Sequence, residues 1–156
     1  MQSILRQATT NWGVRLGILL GLAALIPTTL TFAGTSLSVI NAATDVVTVL
    51  GLCVFILSGI LTTWATGEVS QGAIAGLLAG CVFALVSGLG GIALALFDAP
   101  AYGLLLFAGQ PSLGPGALIV LSIIRMLTVL LLFGGIGAGL GGLGGLLSRL
   151  RAGGRG

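Results

Sequence analysis

At 156 residues the chain has room for one domain, and its composition is 56% hydrophobic and 6% charged, against roughly 25% charged in ordinary soluble domains. So few charges cannot cover a water-facing surface, and the mean hydropathy of +1.22 points to an all-α integral membrane protein. The net charge of +3 comes from six arginines without a lysine; scattered singly, they form no basic stripe for nucleic acid and read as orientation signals for membrane insertion.

In chain order, the first eleven residues are polar apart from Ile4 and Leu5, and Trp12 marks a headgroup boundary, where indole is favoured. Residues 13–33 form the first predicted span, kinked by Pro27, with Thr28, Thr29 and Thr31 as local donors to freed carbonyls. Arg6 and Arg15 ahead of an apolar run also resemble a secretory leader cut after Ala33 or Ala42. The loose small-residue pattern and the spans that follow favour a retained helix.

Residues 34–44 read as a polar link, with Thr44 as N-cap and Asp45 in the first turn of a second span over residues 45–65. Trp64 closes that span, and Thr66-Gly67-Glu68 is short enough to make its neighbours antiparallel. The third span covers residues 69–97. Residues 98–116 form a loop with Pro100, Pro111 and Pro115, whose Leu104-Leu105-Leu106-Phe107 is too short to cross. The fourth span is residues 117–147, and residues 148–156 read as a flexible basic tail with Arg149, Arg151 and Arg155.

Four spans put both termini on one side, together with Arg6, Arg15 and the tail arginines, while Asp45 and Asp98 fall opposite. The positive-inside rule then places both termini in the cytoplasm and the chain in the cell (plasma or inner) membrane.

The spans carry small-residue stripes. Gly13, Gly17 and Gly21 recur on span one; Gly72, Gly76 and Gly80, continued by Ala84 and Gly88, on span three; Gly137, Gly141 and Gly145 on span four, with Gly135 and Gly139 beside them. Steps of four keep residues on one helix face, and a face without side chains lets another backbone approach. The expectation is a four-helix bundle with glycine-zipper packing, tightest toward the cytoplasmic end, with Phe32, Phe55, Phe97 and Phe133 filling wider parts. The matched glycines of spans one and three also suggest a duplicated hairpin.

The inventory for chemistry is thin. There is no histidine, so no imidazole serves a haem, a zinc ion or general-base catalysis. Cys53 and Cys81 are separate and read as small apolar packing, and GxGxxG at residues 137–142 follows no strand. No catalytic, cofactor-binding or metal-binding residues are expected. Arg125 is the exception, since a charge within lipid is a functional candidate by default. Two readings stay open: it snorkels to the headgroups at the start of a span over residues 126–147, or it lies deeper and pairs with Asp45 or Asp98. The expected function is therefore non-catalytic, a packing or accessory subunit or small homo-oligomer among lipids and other membrane subunits. The alternative is a small channel, transporter or holin-like pore, against which the scarcity of polar residues in the spans argues.

Overall fold

The computed structural model describes residues 2–97 and 115–153. Every regular element among them is helical: α1 (Gln2–Ala23), α2 (Leu25–Phe32), α3 (Leu37–Thr66), α4 (Val69–Phe97) and α5 (Pro115–Gly153). Four stretches are long and apolar enough to cross a membrane: Asn11–Leu30, Ser38–Thr66, Val69–Ala93 and Ile119–Leu150. They make the chain compatible with a multi-pass membrane protein.

Pro27 acts as its chemistry requires. Lacking an N–H, it cannot bond the carbonyl of Ala23 four residues back, and α1 stops at Ala23 while α2 restarts at Leu25. Among the nearby threonines, the Thr29 hydroxyl donates to the carbonyl of Ile26 at 2.9 Å. Gly34 then adopts φ +69, and the N–H of Thr35 reaches the carbonyl of Leu30 at 3.2 Å, which closes α2 with a left-handed cap.

The expected link over residues 34–44 is mostly helix. α3 begins at Leu37 with Ser36 as N-cap, so Asp45 lies two turns inside the helix. Thr44 does not cap; its hydroxyl donates to the carbonyl of Ile40 at 2.9 Å, and that of Thr48 to Thr44 at 2.9 Å. No proline or glycine separates Leu37 from Thr44, and a threonine whose hydroxyl bonds back along the helix is accommodated without a break. At its other end α3 closes on Gly67, φ 74, whose N–H donates to Thr63 at 2.8 Å. Thr66 accepts from the N–H of Glu68 at 3.3 Å and donates to Thr62 at 2.8 Å. Glu68 thus stands just before α4.

α5 also departs from expectation, because it runs through Ser148 to Gly153 rather than yielding to a tail after Leu147. Its dense glycines, each costing about 1 kcal/mol of helix propensity in water, remain helical because an open backbone in lipid costs more. The extension lets Arg149 reach the α3–α4 turn, where Nε donates to the carbonyl of Gly67 at 3.1 Å and an Nη shares the same acceptor. A cation at a helix C-terminus also meets the dipole favourably. Arg149→Gln should therefore loosen the turn by about 0.5–1 kcal/mol, read as faster amide exchange at Gly67 and Glu68 with the rest of the bundle unchanged.

The helices alternate in direction. Gly13 and Gly17 of α1 meet Ala75 and Ala79 of α4 in ascending order, whereas Gly72, Gly76 and Gly80 of α4 meet Gly141, Gly137 and Phe133 of α5 in descending order. α1 therefore begins, and α5 ends, at the end of the bundle that holds the α3–α4 turn. Helices α3 and α4 form the centre; α1 and α5 flank them on opposite sides and do not touch among the described residues. The core lies at mid-height, where Leu20, Phe55, Ala79 and Phe83 are buried and Phe133 packs on them. The ring of Phe133 sits 6.2 Å from that of Phe55 in an edge contact and 4.9 Å from that of Phe83. Of the four expected phenylalanines, Phe55 and Phe133 thus meet in the core; Phe83, not anticipated, joins them, and the side chains of Phe32 and Phe97 lie outside the described residues.

Candidate functional site

The feature most unlike an ordinary bundle is the approach of backbones at the turn end. On α4, a methyl group at Gly76 would run into the carbonyl of Gly137, and one at Gly80 into the carbonyl of Phe133. At Gly72 it would stand 2.7 Å from the Thr63 hydroxyl, and at Gly141 2.5 Å from the carbonyl of Gly72. Real Cβ atoms do not come this close, and at Gly76, Gly80 and Gly141 the obstacle is main chain, so these three accept only glycine; at Gly72 the nearest atom is a side-chain hydroxyl, with the carbonyls of Gly59 and Gly141 tight behind it at 3.0 and 3.1 Å. With hydrogen in that direction, the α-carbons can face carbonyls across the seam as weak Cα–H···O donors. Gly145 faces Thr63, with a hypothetical Cβ 2.5 Å from its hydroxyl.

On an adjacent face of α4, methyl groups at Gly13 and Gly17 would stand 2.7 Å from the carbonyls of Ala75 and Ala79. Ala75 and Ala79 are fully buried and were not among the expected packing residues; an alanine pair four apart beside a glycine stripe was the available signal. Further along, side chains replace backbone in these gaps: Val86 against Gly21, Leu25 against Gly90 and Met126 against Gly88. The spacing between helices therefore widens away from the α3–α4 turn. Two more contacts escaped the sequence reading, since Gly59 lies on the carbonyl of Gly141 and Gly144 on that of Ile56. Neither belongs to a four-residue repeat with a glycine on α3, so spacing gave no warning.

The α1 stripe faces α4, not α3, its partner in the first hairpin. The α4 stripe faces α5, its partner in the second. The glycine likeness between spans one and three does not extend to equivalent packing.

Small hydroxyls accompany the seam. Ser58, Thr62, Thr63 and Ser148 are buried. The Ser58 hydroxyl donates to Phe55 at 2.8 Å and that of Ser148 to Gly145 at 2.7 Å, each within its own helix. Among the described residues the Thr62 hydroxyl has no hydrogen-bond partner. Cys81 sits half-buried with its Sγ over Gly134, while Cys53 is exposed; only the first fits the expected role as core filler. Among the described residues no three His, Cys, Asp or Glu side chains gather as a metal site.

Both charged candidates lie on the outside of the bundle. Arg125 on α5 and Asp45 on α3 are exposed, and no ion pair joins them within the chain among the described residues. Asp98 lies outside the described residues, as does the proline loop with Leu104–Phe107. Trp12 and Trp64 are both exposed; each lies within about a turn of the level where Gly13 meets Ala75 and Thr63 meets Gly72, so both mark the same end of the bundle. Comparison with models of known protein families, with curated proteins and with solved structures finds no match.

Proposed function

We propose that this chain is a non-catalytic membrane protein of the cell membrane, a helix-packing or accessory subunit acting alone as a small homo-oligomer or beside other membrane subunits. The observation that supports it most is the close glycine seam between α4 and α5, at Gly72, Gly76 and Gly80 against Gly141 and Gly137. Lipid tails give no hydrophobic reward for helix association, so such closeness is what a bilayer-embedded bundle uses in its place. Read this way the stripes form a glycine zipper within the chain. The exposed large side chains around the bundle, Leu19, Leu89, Leu131 and Leu150 among them, then face acyl chains or partner helices. Lipid is the first partner, and neither nucleic acid nor a cofactor enters the reading.

The orientation follows from charge. Arg6, Arg15, Arg149 and Arg151 lie on helix segments toward the end of the bundle that holds the α3–α4 turn, and the positive-inside rule puts that end in the cytoplasm. Single cysteines introduced in a Cys53→Ser, Cys81→Ala background test it. Labels at Ser3→Cys and Glu68→Cys should react with an impermeant maleimide only from the cytoplasmic side, and one at Ser36→Cys only from the other. A Ser36→Cys label reached from the cytoplasm would reverse the orientation. The non-conducting role is tested in liposomes: the purified protein should pass no ions above protein-free vesicles, and steady flux would favour the small-pore alternative.

A further inference from the structure

We infer that a second copy of this chain docks on the exposed face of α5, with its own α3 laid parallel, so that Arg125 of one copy pairs with Asp45 of the other. The inference rests on the proposed reading as a helix-packing membrane protein and adds the partner and the contact. Two opposite charges stand on the outer surface of a bundle suited to lipid, neither bonded to the other within the chain. Their heights agree. Within one chain α3 and α5 run parallel, with Phe55 against Phe133, Gly59 against Gly141 and Thr63 against Gly145. Continuing that register outward brings Asp45 level with Arg125 to within about one turn. Copies inserted in the same orientation hold these levels in common, so one copy's carboxylate meets its neighbour's guanidinium at matching depth.

The faces around the two charges suit each other. At 3.6 residues per turn, Arg125 shares one side of α5 with Thr128, Leu132, Gly135 and Gly139, all exposed. Among the described residues Gly135 and Gly139 have nothing within 4 Å of a hypothetical Cβ, unlike Gly76, Gly80 and Gly137, so they leave an open groove on the outside. Asp45 shares its side of α3 with Asn41, Thr48, Val49 and Leu52, again exposed. In the same register Leu52 comes level with Leu132, beside the groove. An α5-to-α5 contact is disfavoured, because two parallel copies would set Arg125 against Arg125 at one depth, a like-charge juxtaposition. The contact is therefore heterologous, α5 of one copy on α3 of the next. Near the edge of the hydrocarbon, where hydration is partial, an arginine–carboxylate fork is stronger than in water.

The test is association of donor- and acceptor-labelled full-length chains in phosphatidylcholine vesicles, read as energy transfer against protein density, with ion flux recorded in the same vesicles. Wild type should associate. Arg125→Asp and Asp45→Arg should each weaken association by roughly fivefold, the order of one charge contact, and mixing the two variants should restore it, because each supplies the charge the other lacks. Gly139→Leu should weaken association while leaving thermal unfolding of the single chain unchanged, which separates a blocked groove from a damaged fold. Wild type that remains monomeric at every density, or association indifferent to both charge changes and to Gly139→Leu, overturns the inference. Flux through the vesicles instead overturns the packing role, whether or not the copies associate.

Discussion

Leucine at Gly76 or at Gly80 will destabilise the bundle by about 3 kcal/mol, at the upper end of the cost of overpacking. The obstacle at each site is main chain: the carbonyl of Gly137 at the first and that of Phe133 at the second. A flexible side chain can swing aside, but a helical carbonyl moves only with its helix. The substituted bundle must therefore separate α4 from α5 over several turns, losing contacts on both sides of the site. Alanine at these positions should already do harm, since its Cβ is the atom that collides. The informative contrast is Gly139→Leu, one helical face away on α5, where nothing among the described residues lies within 4 Å and intrachain stability should hold. Thermal unfolding in detergent separates the two classes. If Gly76→Leu and Gly80→Leu melt with wild type, the glycine-zipper reading of this seam is wrong.

Phe55→Ala should cost a similar amount, about 3 kcal/mol, through a different term. In a soluble core, such a change loses both hydrophobic transfer and packing, and costs roughly 3–5 kcal/mol. Here the reference state already sits in lipid, so the transfer part largely cancels and the cavity part remains. That part is large because Phe55 is fully buried and its ring meets Phe133 edge-on while Phe133 leans on Phe83. A vacated ring leaves dispersion contacts unmade on helices held close by their glycine seams. Phe55→Leu should recover about half of the loss. Near-ultraviolet dichroism should report the change, since one member of the aromatic cluster is removed while helix content stays constant. An unchanged melting temperature for Phe55→Ala would mean that the cluster is filler and carries none of the association energy.

Much of this molecule could be read from residues alone because lipid is a severe solvent. Four apolar stretches had to become helices, since no other local structure satisfies every backbone group within the hydrocarbon. Pro27 had to interrupt the first, and Thr66-Gly67-Glu68 had to turn. Four-residue glycine spacing marked faces for close approach on α1, α4 and α5, because that repeat follows from helix geometry. The limits of the helices were less legible. Thr44 and Asp45 look like a helix start, yet a threonine that bonds back to Ile40 lets the helix begin at Leu37. Arg149 looks like a tail residue, but the acceptor that draws it into α5, the carbonyl of Gly67, is distant in the chain and is presented by the α3–α4 turn.

What each stripe faces was settled only by packing. Glycine spacing marks a bare face and says nothing of its neighbour, because the missing side chain removes the chemistry that would identify a partner. The fold turned Gly13 and Gly17 to the Ala75–Ala79 side of α4, set Gly76 against Gly137, and left Gly135 and Gly139 open, although all have the same local composition. It also assigned unequal roles to Cys53 and Cys81 and left both Arg125 and Asp45 on the outside. These are matters of helix rotation and relative height. They depend on how four cylinders nest against one another, and no window of sequence along a single helix contains that information.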